Sequence, residues 1–196
     1  MENVLFKVSF PAEFHAQTAV ECAMLLHPVV GDRRDAVERV VIETQKPGVR
    51  IIDKTGPLAN PADRDHCLQY MTAIPLIFGR HTAADYEDDV ASDPRVDALR
   101  SKMVVLENTV FTEEYYAAGK RHIGNAVQVF FADGTHTDRV QIDVPVGHRK
   151  RRAEGIPLLV RKFEASVAAH FQASQAARIK ALFADRATLE AMPVHE

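Results

Sequence analysis

Apolar positions keep helical spacing at both ends of this chain, with strand and helix patterns mixed between them. Over residues 11–26, Phe14, Val20, Ala23, Met24, Leu25 and Leu26 make a helix that becomes apolar nearly all round, as an element buried on several sides should be. It is expected to begin near Pro11, which suits a first turn, and to end at Pro28 and Gly31. Residues 37–44 are rich in Val and Ile with charges interleaved and predict a strand. Pro47-Gly48 then reads as a turn into a second strand over 49–52. Asn60 is a good N-cap and Pro61 a good first residue for a helix running through Tyr70, which Pro75 should kink or end. A short helix follows at 82–86, Asp93-Pro94 opens a better one through Lys102, and 103–107 reads as a strand. The clearest hairpin joins 126–131 to 137–142 through Asp133-Gly134, a dipeptide that tolerates the positive φ of tight turns.

Strand and helix mix without strict alternation, so the pattern predicts an α+β fold with antiparallel strands rather than a doubly wound sheet. From Ile156 onwards helical spacing returns at Leu158, Leu159, Phe163, Val167 and Phe171, and again at Ile179, Leu182, Phe183 and Leu189. A boundary near Arg152 separates an α+β domain over 1–152 from C-terminal helices over 153–196. Those helices are amphipathic and too small to close a core alone, so they should dock on another body.

At 196 residues, 46% of them hydrophobic, the chain is long enough to bury a substantial core. Its formal charge of −3 gives no overall basic field, so neither nucleic acid nor an anionic membrane is an expected partner. No apolar run approaches the ~20 residues of a membrane span, and the start of the sequence does not read as a signal peptide, so a cytoplasmic location is expected. Cys22 and Cys67 both sit in apolar helical patterns and read as buried thiols. Two cysteines cannot hold an iron–sulfur cluster of the aconitase kind. The nine histidines show no HExxH, and Asp63, Asp65 and His66 lack a convincing ligand pattern. No metal and no cofactor are therefore expected. The glycines between 119 and 155 lack phosphate-loop spacing.

The densest candidate chemistry lies in Lys7-Val8-Ser9-Phe10-Pro11-Ala12-Glu13-Phe14-His15. An amine, a helix start and an imidazole fall within nine residues, which suits an anion-handling site. Lys7 ahead of the helix can hold a carboxylate near free backbone N–H groups, and His15, about one turn in, can exchange a proton. Run for run, His148-Arg149-Lys150-Arg151-Arg152 is the strongest local charge; it reads as a solvated loop, with steering of an acidic substrate as the functional alternative. Tyr115 and Tyr116 read as surface loop.

Three stretches, FKVSFPAEFHAQTAVECAM, DRDHCLQYMTAIPLIFG and IGNAVQVFFADGTHTDRVQIDVPVGHRKRRAEG, occur in an order and at intervals that resemble the MmgE/PrpD family over nearly the whole chain. The resemblance implies a hydro-lyase that removes water from 2-methylcitrate, a small tricarboxylate, in the methylcitrate cycle of propionate catabolism. It also implies a larger all-helical domain ahead of an α+β lid, with the chain then returning to the helical domain. This sequence looks like the lid and that return. Partners implied are the tricarboxylate, the helical domain of the same family or a second copy of the chain, and homodimerisation. Catalytic roles implied fall on Lys7 and His15 in the opening motif and on Tyr70 in HCLQY; which is acid and which is base stays open. So do a non-catalytic interaction module of the same fold and, within the enzyme class, a cis-aconitate decarboxylase or small-acid isomerase.

Overall fold

The computed structural model describes residues 7–193. Two compact units divide the chain at Arg152 and Ala153.

In the first unit, a 3-10 turn at Phe14–Ala16 leads into α1 (Gln17–Val30), followed by β1 (Val37–Thr44) and α2 (Lys46–Ile52). Next come α3 (Pro61–Asp65), α4 (Leu68–Phe78), α5 (Asp88–Ala91) and α6 (Pro94–Arg100). After them β2 (Met103–Glu107), α7 (Thr109–Tyr116), β3 (Asn125–Phe131) and β4 (Val140–Ile142) complete the unit. The strands form one sheet in the order β2-β1-β3-β4. β1 runs parallel to β2, with Val40 opposite Met103, and antiparallel to β3, with Val40 opposite Val129. The sheet is thus mixed, one pair departing from the antiparallel expectation, because five helices, α2 to α6, intervene between β1 and β2 and return the chain in the same direction.

Alternation decides which face is covered. Val40 and Ile42 of β1 and Val127, Val129 and Phe131 of β3 are buried, while Arg39, Glu43 and Gln128 point the other way. α1 packs between this inner face and α4; α4 is buried almost throughout, and α1 is buried all round its first turn, exposing Leu25 and Val29 only towards its end. That explains why neither reads as a simple one-sided stripe.

Several sequence expectations shift in register. Helical structure starts at Phe14 rather than Pro11, because Glu13 caps the turn with its side chain and the amide of Gln17 ties back the preceding loop, donating to the carbonyls of Phe10 and Ala12. Pro28 and Pro75 lie inside α1 and α4 without ending them. α4 ends at Gly79, whose φ of 64° only glycine adopts cheaply, and where an added Cβ would sit 2.7 Å from the His27 ring. The segment 49–52, expected as a strand, belongs to α2. Pro47 occupies its first turn, where no N–H is needed, and Gly48 is buried against the side chains of Thr44 and Gln45. Asn60 caps α3 as expected, but that helix stops at Asp65, and extended Cys67 starts α4 afresh. The 133–134 turn closes the hairpin with Gly134 at φ 82°.

In the second unit, α8 (Arg152–His170), α9 (Ala173–Ala184) and α10 (Arg186–Ala191) follow one another, with Asp185 capping α10. Phe163 and Phe183 meet at 5.0 Å between ring centres. Ile156, Val160, Phe171 and Phe183 are each more than 40% exposed, an apolar surface this unit does not cover itself. Among the described residues no helix is long and apolar enough to cross a membrane. Both cysteines are free and buried, and burial pushes the Cys22 thiol up to about 12.

Candidate active site

The turn that opens α1 is built around Glu13. Its carboxylate accepts the backbone N–H of His15 at 2.7 Å and lies 3.0 Å from His15 Nδ1. Nδ1–H therefore donates to Glu13, and in the neutral ring Nε2 is left with its lone pair. Burial pushes the Glu13 carboxyl up, but hydrogen bonding and electrostatic attraction from His15 outweigh it and hold the group below the ordinary carboxylate value. His15 is 6% exposed, with Phe14 edge-on at 5.2 Å. Its carbonyl accepts from the Asn125 amide at 2.8 Å, and Asn125 also donates to Thr18, whose hydroxyl donates to the Ile123 carbonyl. The start of β3 thus clamps the turn and fixes the imidazole's position.

What faces His15 Nε2 comes from far along the chain. The hydroxyl of Tyr115, in the last turn of α7, lies 3.4 Å away, with the two rings 5.7 Å apart and tilted by 34°. This half-buried tyrosine was expected in a surface loop. Asn108 instead caps a regular helix by accepting from Val110 and Phe111, and the burial of Phe111 orients it.

Glu114, one residue earlier, holds a second histidine. Lys150 Nζ donates to His122 Nε2 at 2.7 Å, so His122 Nδ1–H must donate to Glu114 at 2.8 Å. Hydrogen bonds from Lys120 and then His122 keep the Glu114 carboxyl below its usual range. Arg121, between helix and histidine, has φ 51°, a left-handed conformation that turns the chain back so that the His122 N–H meets the Glu114 carbonyl at 3.3 Å. The basic run is accordingly tied to the fold, although Arg149 and Lys150 stay exposed as a solvated run would be. His148 is buried, Arg149 donates to the Gly119 carbonyl, and Arg151 forks onto Glu21 at 2.6 and 2.9 Å. Burial, then His122, Lys150 and Arg149, hold the His148 imidazole below its ordinary value.

The three residues singled out in the sequence are placed differently from one another. Lys7 lies in an exposed turn at the head of the described chain. His15 has the proton-handling geometry given above. Tyr70 is in the interior: it is 2% exposed, stacked on Tyr86 at 6.1 Å, and its hydroxyl donates to the Asp85 carbonyl at 2.5 Å. Burial pushes its phenol up to about 12. No described contact joins Tyr70 to His15. Among the described residues no group of His, Cys, Asp or Glu is arranged to hold a metal ion.

Comparison with known proteins bears on the whole of this arrangement. The chain is 55% identical over its full length to 2-methylcitrate dehydratase of Salmonella typhimurium and equally to that of Escherichia coli K12, covering 41% of each. It is 55% identical over 92% of its length to a mitochondrial 2-methylcitrate dehydratase of Yarrowia lipolytica, covering 35% of that protein. It thus spans about two fifths of the length of the curated relatives it matches most fully. The MmgE/PrpD C-terminal domain matches residues 10–187, which include the Glu13–His15 turn, α7 and the basic run, and the chain belongs to the MmgE/PrpD family.

Proposed function

We propose that this chain is the C-terminal part of an enzyme that dehydrates 2-methylcitrate to 2-methyl-cis-aconitate in propionate catabolism. Residues 1–152 act as a lid over a site that a helical domain of the same family completes. The observation that carries the chemistry is the carboxylate-backed imidazole of Glu13 and His15 at a helix entrance; the names of the relatives supply the substrate.

Dehydration of a hydroxy-tricarboxylate removes a proton from carbon next to a carboxylate. That carbon is poorly acidic, because the intermediate piles charge on a group already charged. His15 Nε2 takes the proton, and Glu13 holds the ring in the required tautomer and stabilises the imidazolium that forms. Lys7 neutralises the carboxylate. Tyr70 keeps to the interior in this reading and supports α4, since its hydroxyl is already given to Asp85. The exposed apolar surface of 153–196 supports the need for a further body. A cytoplasmic location belongs to the same proposal.

The test is to combine the chain with a separately produced helical domain and follow the absorbance of the unsaturated product from 2-methylcitrate, with cis-aconitate in parallel. Lys7→Ala and His15→Ala should each lower turnover by about 10²-fold or more while costing far less in melting temperature. A stable complex without turnover of 2-methylcitrate refutes the proposal, and preference for cis-aconitate replaces the substrate.

A further inference from the structure

We propose that Tyr115 is the second proton-transfer residue of this site: it gives its phenolic proton to the departing hydroxyl while His15 takes the proton from carbon. The inference rests on the dehydratase reading and adds to it the group that the opening motif lacks.

Loss of water needs a donor as well as a base, because hydroxide leaves poorly unless it is protonated as it goes. Tyr70, the tyrosine that family resemblance points to, has committed its hydroxyl to a backbone carbonyl in the interior. Tyr115 is the tyrosine that meets the imidazole. Its hydroxyl lies 3.4 Å from Nε2, at the outer limit of a hydrogen bond, and the rings are tilted rather than stacked. A contact that loose loses little when a substrate atom enters beside it. The phenol is raised above its ordinary value by burial and then by Tyr116 and Glu13, with Arg121 opposing, so it holds its proton at neutral pH and acts as donor.

The same contact closes the cycle. In the forward reaction the substrate C–H bond breaks and its proton goes to Nε2; the C–O bond breaks and the Tyr115 O–H proton leaves with the oxygen as water. The site then holds an imidazolium and a phenolate. Transfer of the Nε2 proton to the phenolate across the pair restores the neutral imidazole and the phenol, so substrate has become alkene and water with no proton gained or lost by the protein. Glu13, on the far nitrogen, keeps its charge throughout.

The experiment uses the chain assembled with the helical domain. Tyr115→Phe should lower kcat by about 10²-fold, leave KM for 2-methylcitrate within a few-fold and leave the melting temperature unchanged. Replacing Tyr115 by 3-fluorotyrosine, a more acidic phenol of nearly the same shape, should restore turnover and move the alkaline limb of the kcat profile to lower pH. A merely structural tyrosine would move neither. Turnover unaffected by Tyr115→Phe, in an assembly that His15→Ala disables, overturns the assignment and leaves the dehydratase reading intact. An inactive wild-type assembly overturns both.

Discussion

His81 makes the first unit acid-sensitive in a pH window that its carboxylates leave alone. The ring is 5% exposed, edge-on to Tyr86 at 5.1 Å, with Nε2 2.8 Å from the Tyr86 hydroxyl; Nδ1 is buried with no hydrogen-bond partner. A second proton on this ring would place an unpaired N–H and a charge in the interior, and burial pulls the imidazole down to about 4 against the small opposing pull of Asp85. Because the folded value is depressed from an ordinary 6.5, the unfolded chain binds the proton first as pH falls, and stability is lost from about pH 6.5 down to about pH 4. Linkage over those values gives a loss of roughly 2 kcal/mol between pH 7 and pH 5. At an m-value of about 2 kcal/mol/M, the urea midpoint should move down by about 1 M. Carboxylates such as Glu13 and Glu43, whose folded values are also depressed, lose their contribution only below about 4.5. His148 is also held below its ordinary value and acts in the same direction, so the informative comparison is wild type against His81→Gln, which keeps hydrogen-bonding capacity and cannot titrate. The variant should lose about 1 M less midpoint between pH 7 and pH 5. If wild type and variant lose the same amount, the cost of charging this ring is not what the geometry says.

Tyr70→Phe removes a buried hydroxyl donated to Asp85 and should cost about 1–2 kcal/mol, read as a fall in melting temperature; a fall in turnover with no thermal shift would restore Tyr70 to the catalytic set. Gly48→Ala places a Cβ 2.6 Å from both Thr44 Oγ1 and Gln45 Oε1 at the start of α2, and thermal melting should show about 1–3 kcal/mol of destabilisation.

What was legible in the sequence were the features whose cause is local. The α+β class follows from periodicity, and β1 and β2 are found at the expected residues because alternation is read within one strand. Asn60-Pro61, Asp93-Pro94 and Asp133-Gly134 each fix a turn or cap through their own dihedral and hydrogen-bonding preferences. The segment 46–52 failed because its content is ambiguous: Val, Ile and a Pro-Gly pair serve a turn and strand as well as a short helix. Burial of Ile52 in the core and the packing of α2 on α7 and β2 decided it. The β1–β2 pairing direction was equally out of reach, since it depends on how the five intervening helices return the chain.

The candidate site divides along the same line. Glu13 and His15 are two residues apart, so their pairing needs only one turn of chain and lies within the opening motif, although the sequence pointed to Lys7 rather than Glu13 beside the imidazole. Tyr115 is 100 residues from His15, and Lys150 is 28 from His122; such partners are brought together by the tertiary fold, in which β3 pairs with β1 and α7 leads into it. Tyr70 shows the converse. A tyrosine at the right place in a motif says where its backbone lies, while the direction of its hydroxyl is set by Asp85 and by the stacking of Tyr86. α7 therefore matters more than its weak sequence signal indicates. Through Tyr115 it faces one histidine and through Glu114 it holds another, so a shift of this single helix turn would disturb both imidazoles at once.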